Sequence, residues 1–291
     1  MHRSPLRYPG GKNRIANFIA QVCVDNGVSG LYVEPYAGGA SVALYLLFSN
    51  VVKNIVINDK DRSIYAFWYS VLHHTDELCQ LIRNTDVNIE NWHKQKKIQS
   101  KKKYAGLLEL GFSTLFLNRT NRSGIISGGI IGGLSQEGAY KIDCRFNKEE
   151  IIERIQQIAR EKKRIKVYNL DAMKLIHKLE LQKSKDLNNA LIYFDPPYYK
   201  KGGCLYLNHY VKADHRLVAD SIASLSYRWV VSYDNVPEIH SLYPRLRSIE
   251  YSLKHTAHTS RDGGEILFSN PNVIIPQAYR NPIDYKSFKR R

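Results

Sequence analysis

"LIYFDPPYYKKGG", residues 191–203, sets an acid, two prolines and two tyrosines directly behind an apolar run. Leu191 to Phe194 reads as a buried strand. Pro196 and Pro197 cannot donate to a sheet ladder, so the strand ends on Asp195 and the turn beyond it is stiff. Such a turn is either a structural corner with core tyrosines or a place where a carboxylate is held for use, and the tetrapeptide alone leaves both open.

Other segments repeat the pattern of this strand. "LYVEP" (31–35), "NIVIND" (54–59), "RIKVYNLD" (164–171) and "RWVVSYD" (228–234) are strand-like. "SVALYLLFSN" (41–50), "AMKLIHKLEL" (172–181) and "HRLVADSIASL" (215–225) carry helical spacing. This alternation predicts an α/β fold, a parallel sheet with helices on both faces. "SIEYSLKH" and "EILFSN" near the end predict a terminal antiparallel pair.

One connection breaks the rhythm. A parallel crossover needs roughly a dozen residues, whereas about a hundred separate Asp59 from Arg164. The excess predicts an inserted, mostly helical domain over 70–150, with 1–69 and 151–291 forming one discontinuous domain. From Lys94 to Arg122 the insert holds eight Lys or Arg and one acid, Glu109. A solvated helix face is the ordinary fate of such a run. The stretch that follows, "FLNRTNRSGIISGGIIGGLS" (116–135), mixes polar residues with five glycines. It predicts an exposed loop or hairpin able to approach another molecule's backbone.

The 291 residues, 43% hydrophobic and 24% charged, suit one large domain or two modest ones with an ordinary core. A formal net charge of +16 points to a polyanionic partner, nucleic acid before anionic membrane. Four scattered cysteines without a C-x-x-C pair predict reduced thiols and no metal site. The start of the chain lacks the apolar core of a signal peptide, and no apolar run reaches the roughly 18 residues of a membrane span. A cytoplasmic protein without a membrane role is expected.

Three further stretches bear on chemistry. "VEPYAGGASV" (33–42) hands a strand to a helix through Gly38 and Gly39, where backbone N–H groups can meet a polar ligand. The full G-x-G-x-x-G is absent, so this is a weak signal alone. Asp59 closes the second strand about 20 residues later. It either caps the next helix or accepts ribose hydroxyls, and position and spacing favour the ribose. "PLRYPGGKNR" (5–14) fails the P-loop pattern, yet Lys12 could bring an ammonium to a carboxylate. At Asp195 the chemistry would be amine activation. The carboxylate and the Pro196 carbonyl could each accept one hydrogen of a nucleobase amine, leaving a lone pair out of the ring plane, while Tyr198 offers a π-face to the base.

Taken in order, "LRYPGGK", "VEPYAGGASV", "IND", "FLNRTNRSGI" and "FDPPY" resemble the motifs of the Dam-like DNA adenine-N6 methyltransferases across roughly residues 4 to 270. In that family the recognition domain sits between the cofactor and catalytic motifs. The resemblance implies a Rossmann-like S-adenosylmethionine-dependent methyltransferase sheet with an inserted DNA-recognition domain bearing a hairpin. It implies a catalytic set Asp195, Pro196, Pro197 and Tyr198. It implies a cofactor set Tyr8, Lys12, Glu34, Pro35, Gly38, Asp59, Asp171 and Asp195, and DNA contacts from Asn118, Arg119, Arg122 and Ser123. After Gly124 the run "IISGGIIGG" departs from the family pattern, so a GATC target does not follow. The activity implied is methyl transfer to adenine N6 in duplex DNA, with no metal. A cognate restriction endonuclease is an open partner, and a monomer or weak dimer is expected. Methylation of N4-cytosine, RNA adenine or protein glutamine uses a similar tetrapeptide and stays open beside it. So does a non-catalytic DNA-binding subunit, against which the intact Asp195–Tyr198 motif argues.

Overall fold

The computed structural model describes residues 4–7, 12–182, 185–199, 212–253, 263–276 and 281–286. Among them the strands are β1 (Leu31–Glu34), β2 (Asn54–Asn58), β3 (Ile165–Tyr168), β4 (Ala190–Phe194), β5 (Trp229–Asp234), β6 (Ser248–Leu253) and β7 (Gly263–Ser269). The chain groups into two compact units, 12–58 with 170–291 and 1–11 with 59–169.

In the first unit the strands lie in the order β2-β1-β4-β5-β7-β6. β1 runs parallel to β2 and β4, and β4 parallel to β5, whereas β7 is antiparallel to both β5 and β6. Every residue of β1, β4 and β5 is buried. Burial without alternation is what a sheet covered on both faces requires, and the expected α/β architecture with its terminal antiparallel pair is present. The order reverses at β1, since β2 lies on one side of it and β4 on the other. Ligands of open α/β sheets bind beyond the carboxyl ends of the strands at such a reversal. Val33 faces Ile192 in the β1–β4 register, so Glu34 and Asp195 emerge at the same edge.

The second unit is mostly helical, with Arg62–His73, Thr75–Asn84, Ile89–Ser100, Leu107–Thr120 and Lys148–Arg160 as its long helices. Leu110, Phe112, Leu115, Phe116 and Leu117 of Leu107–Thr120 are buried, as are Phe67 and Trp68 of Arg62–His73. This apolar face carries the helix through Thr120, so the loop expected from residue 116 starts only at Asn121. Beyond it a short antiparallel bridge joins Asn121 to Ile130. The basic stretch forms the helix Ile89–Ser100, capped by the Asn88 side chain accepting the Asn91 N–H at 2.8 Å. It buries Trp92 and Gln95 and leaves Lys94, Lys97, Lys101 and Lys103 exposed.

β3 ends at Tyr168, short of the expected Asp171. The Asp171 carboxylate turns to cap the helix Ala172–Leu181, accepting the Met173 N–H at 3.1 Å. Among the described residues no helix is long and apolar enough to cross a membrane, and no cluster of three His, Cys, Asp or Glu side chains could hold a metal. Cys23 and Cys79 are buried free thiols and Cys144 is exposed. Tyr8, which the family resemblance places in the cofactor set, lies outside the described residues.

Candidate active site

The stiff turn after β4 holds Asp195 in a ring of polar groups supplied by the short helix Lys12–Ile15 and by strands β5, β6 and β7. The Lys12 ammonium lies 3.0 Å from Asp195 Oδ1, and the Ser232 hydroxyl of β5 donates to the same oxygen at 2.8 Å. Ser232 is itself 2.7 Å from the Tyr193 hydroxyl. Lys12 also donates to the Tyr198 hydroxyl at 3.0 Å, and its ammonium sits 5.0 Å from the centre of that ring. The Tyr198 hydroxyl donates onward to Glu265 Oε1 of β7, which is 3.6 Å from Lys12 Nζ. The Tyr251 hydroxyl of β6 donates to Glu265 Oε2 at 2.7 Å. Of these groups Asp195 alone keeps a partly open side chain, 21% exposed.

The charges follow from burial and neighbours. Burial pulls the Lys12 amine down, but Asp195 and then Glu265 hold it well above its ordinary value, so it stays an ammonium. Burial raises the Asp195 carboxyl, and the Glu265 charge raises it further, against the opposing pull of Lys12 and Ser232. Tyr199 is tied separately, its N–H donating to Asp234 Oδ1 at 2.8 Å.

At the end of β1 the Glu34 carboxyl is 5% exposed. Its Oε1 accepts the Ala43 N–H at 2.9 Å and the Tyr32 hydroxyl at 3.1 Å. Burial pushes it up to about 8, with the Asp195 charge adding to the rise, so it is largely protonated at neutral pH. The turn that follows is tight. Gly38 has φ 45° and Ala40 φ 49°, and the Ala40 N–H donates to the Ala37 carbonyl at 2.6 Å. The N-cap residue Ala40 offers no side-chain cap to the helix Ser41–Phe48, and the Glu34 carboxyl takes the amide of its third residue, Ala43. Asn58 closes β2 and buries its amide between the Pro35 and Leu170 carbonyls, at 2.8 and 2.9 Å.

The remaining predicted residues fall in the second unit. Asp59 Oδ1 accepts the Asp61 N–H at 2.9 Å, and the capping role weighed for Asp59 belongs to Asp61, whose carboxylate accepts the Ser63 N–H. Asn118 is buried; its amide accepts the Arg7 N–H at 2.7 Å and donates to the Arg7 and Gly124 carbonyls. Arg119 donates to the Pro5 carbonyl at 2.7 Å, and burial first, then Arg154 and Arg7, lower it to about 10. Arg122 and Ser123 are exposed. Asn118 and Arg119 thus hold the segment 4–7, and Arg122 and Ser123 face outward.

The structure therefore gathers Lys12, Asp195 and Tyr198 at one point and adds Ser232, Glu265 and Tyr251, which the sequence reading left without a role. A signal for two of them was present: Glu265 is an acid inside the apolar run "EILFS", and Ser232 a hydroxyl inside "WVVSYD". Neither has a reason to be in a buried strand unless something polar faces it.

A sheet that reverses order at β1, a glycine turn into a helix whose first turn is met by the buried Glu34, and a lysine-tethered acid beyond the next strand are the features of an α/β group-transfer enzyme. The chain belongs to the D12 class N6 adenine-specific DNA methyltransferase family, whose model matches residues 8–259. It is accordingly an adenine methyltransferase. Among solved structures, the rRNA methyltransferase aviRa from Streptomyces viridochromogenes aligns over 90% of this chain and 85% of its own, with 11% identity and a TM-score of 0.38. No curated protein matches the chain.

Proposed function

We propose that this protein moves a methyl group from S-adenosylmethionine to N6 of an adenine turned out of duplex DNA. One observation carries the reading. Asp195 Oδ1 is taken by Lys12 and Ser232, while among the described residues no donor meets Oδ2. That leaves a fixed, partly exposed acceptor for one amine hydrogen, with the Pro196 carbonyl for the other. Two acceptors on its hydrogens pyramidalise the amine and aim its lone pair out of the ring plane. Once the new N–C bond forms, the nitrogen is cationic and must lose a proton. Asp195, whose proton affinity burial raises, is the acceptor placed to take it.

The residues fit the cofactor. The glycine turn brings bare backbone to the sheet edge, and Glu34, a buried carboxyl beside it, accepts the Ala43 N–H of the helix that follows. Glu34, Pro35, Gly38 and Asp171 would hold it together with Asp195, and it supplies an electrophilic methyl group. The ribose role of Asp59 rests on its place after β2. Tyr198 is the proposed platform for the base; its ring is 4% exposed, so stacking requires neighbouring side chains to move aside. The unit built on 59–169 is the proposed reader of DNA. In it Arg122, Ser123 and the exposed lysines near residue 100 would meet phosphates, whereas Asn118 and Arg119 are spent on holding the segment 4–7.

Nucleoside mass spectrometry tests the reading. Duplex DNA and RNA are incubated with the protein and labelled cofactor, then digested. Label in N6-methyldeoxyadenosine for the wild type, and none for Asp195→Ala, is the expected result. Label in N4-methyldeoxycytidine, in RNA only, or undiminished in the variant defeats it.

A further inference from the structure

β7 contains one acid, Glu265, which is 1% exposed. A buried carboxylate costs several kcal/mol unless its surroundings compensate. The partners found for it belong to the Asp195 site or adjoin it: Lys12 at 3.6 Å, the Tyr198 hydroxyl, and the Tyr251 hydroxyl at 2.7 Å. Lys12 needs only one acid to stay charged, and Asp195 at 3.0 Å supplies it. A second acid therefore calls for a separate explanation.

We propose that Glu265 is a positioning residue for the methylation site: a second counter-charge that, through Lys12 and Tyr198, fixes the aim of Asp195 and strengthens its hold on a proton. The inference rests on the role given to Asp195 above. Two constraints follow from the geometry. Lys12 spans Asp195 and Glu265 and donates to Tyr198 between them, so it cannot swing toward Oδ2. The Tyr198 hydroxyl accepts from Lys12 and commits its own proton to Glu265, so its ring is pinned at the far end. Without Glu265 the Lys12 ammonium would face Asp195 unopposed; with it, the three charges sum to −1 while Asp195 is ionised, which favours taking a proton from a cationic amine. The groups facing Lys12 include Asp195, Glu265, Tyr198 and Tyr193. Those facing Asp195 include Lys12, Glu265 and Ser232, and Asp195 in turn acts on Glu34. Removing the Glu265 charge lowers the proton affinity of Asp195.

The test is Glu265→Gln, which keeps shape and removes charge. The methylation rate is expected to fall about tenfold, the scale of one lost charge-assisted contact, and the acid limb of its pH profile to move to lower pH. The titration of Asp195, followed by carbon NMR on aspartate-labelled protein and assigned by its loss in Asp195→Asn, should move the same way. That second readout does not depend on which base is methylated. A wild type that leaves adenine untouched defeats the functional reading, and the NMR shift still decides the role of Glu265. If the acid limb and the Asp195 resonance stay at their wild-type pH in folded Glu265→Gln, the inference is wrong, whatever happens to the rate. Should Glu265→Gln fail to fold, Glu265→Asp keeps the charge and withdraws it by one methylene. A smaller shift in the same direction then supports the role, and none overturns it.

Discussion

Replacing Ser232 with alanine separates what holds Asp195 from what holds the core. The Ser232 hydroxyl donates to Asp195 Oδ1 at 2.8 Å and is 2.7 Å from the Tyr193 hydroxyl. Ser232→Ala removes a hydrogen bond to a charged group, worth about 1.5–3 kcal/mol, and orphans a buried phenol, at about 1–3 kcal/mol. Adding Tyr193→Phe removes the orphan and should return the second contribution alone. The functional effect has its own sign. The Ser232 hydrogen bond lowers the Asp195 carboxyl, so its loss raises that group further, and the acid limb of methylation moves to higher pH. The double variant should recover stability and keep the displaced limb. Urea denaturation and pH–rate profiles on the single and double variants read both quantities. A limb that stays in place, or a double variant no more stable than the single, refutes the view that one hydroxyl serves both partners.

Glu34→Gln should flatten the dependence of stability on pH. The folded-state value near 8 against an ordinary 4.5 means that the wild type loses stability as pH rises through that window, by up to about 5 kcal/mol; denaturation at pH 5 and pH 8 compares the two proteins. Asp59→Ala should weaken cofactor binding roughly tenfold if its carboxylate holds a ribose hydroxyl, and an unaltered affinity by calorimetry rejects that role. Gly124 has φ 76°, and a Cβ there would lie 2.2 Å from the Arg7 carbonyl oxygen. Gly124→Ala should therefore cost about 1–3 kcal/mol, visible as a lower denaturation midpoint. Arg122→Ala should reduce the slope of log affinity for DNA against log salt by about 1 if Arg122 meets a phosphate; an equal slope removes it from the interface.

The sequence by itself determined the sheet and the family. Strands announce themselves locally: the run at 190–194 is apolar throughout because both faces of β4 are covered, and Pro196 and Pro197 end it by their own covalent geometry. Asp195, Lys12 and Tyr198 were legible because the motifs carrying them are contiguous in the chain. Their mutual arrangement was not, since Lys12 and Asp195 meet 3.0 Å apart only after the sheet has folded between them. The same holds for Asn118 and Arg119. Their polarity reads as a surface for nucleic acid, yet the apolar face of Leu107–Thr120 turns Asn118 inward, and Arg119 binds backbone at Pro5. Ser232 and Glu265 belong wholly to tertiary structure. A polar side chain in an apolar strand has no meaning until its partner is known. Here the partners arrive from Lys12, from the turn at Asp195, and from Tyr251 on the neighbouring strand, because burial forces each charge to find compensation across the fold rather than along the chain.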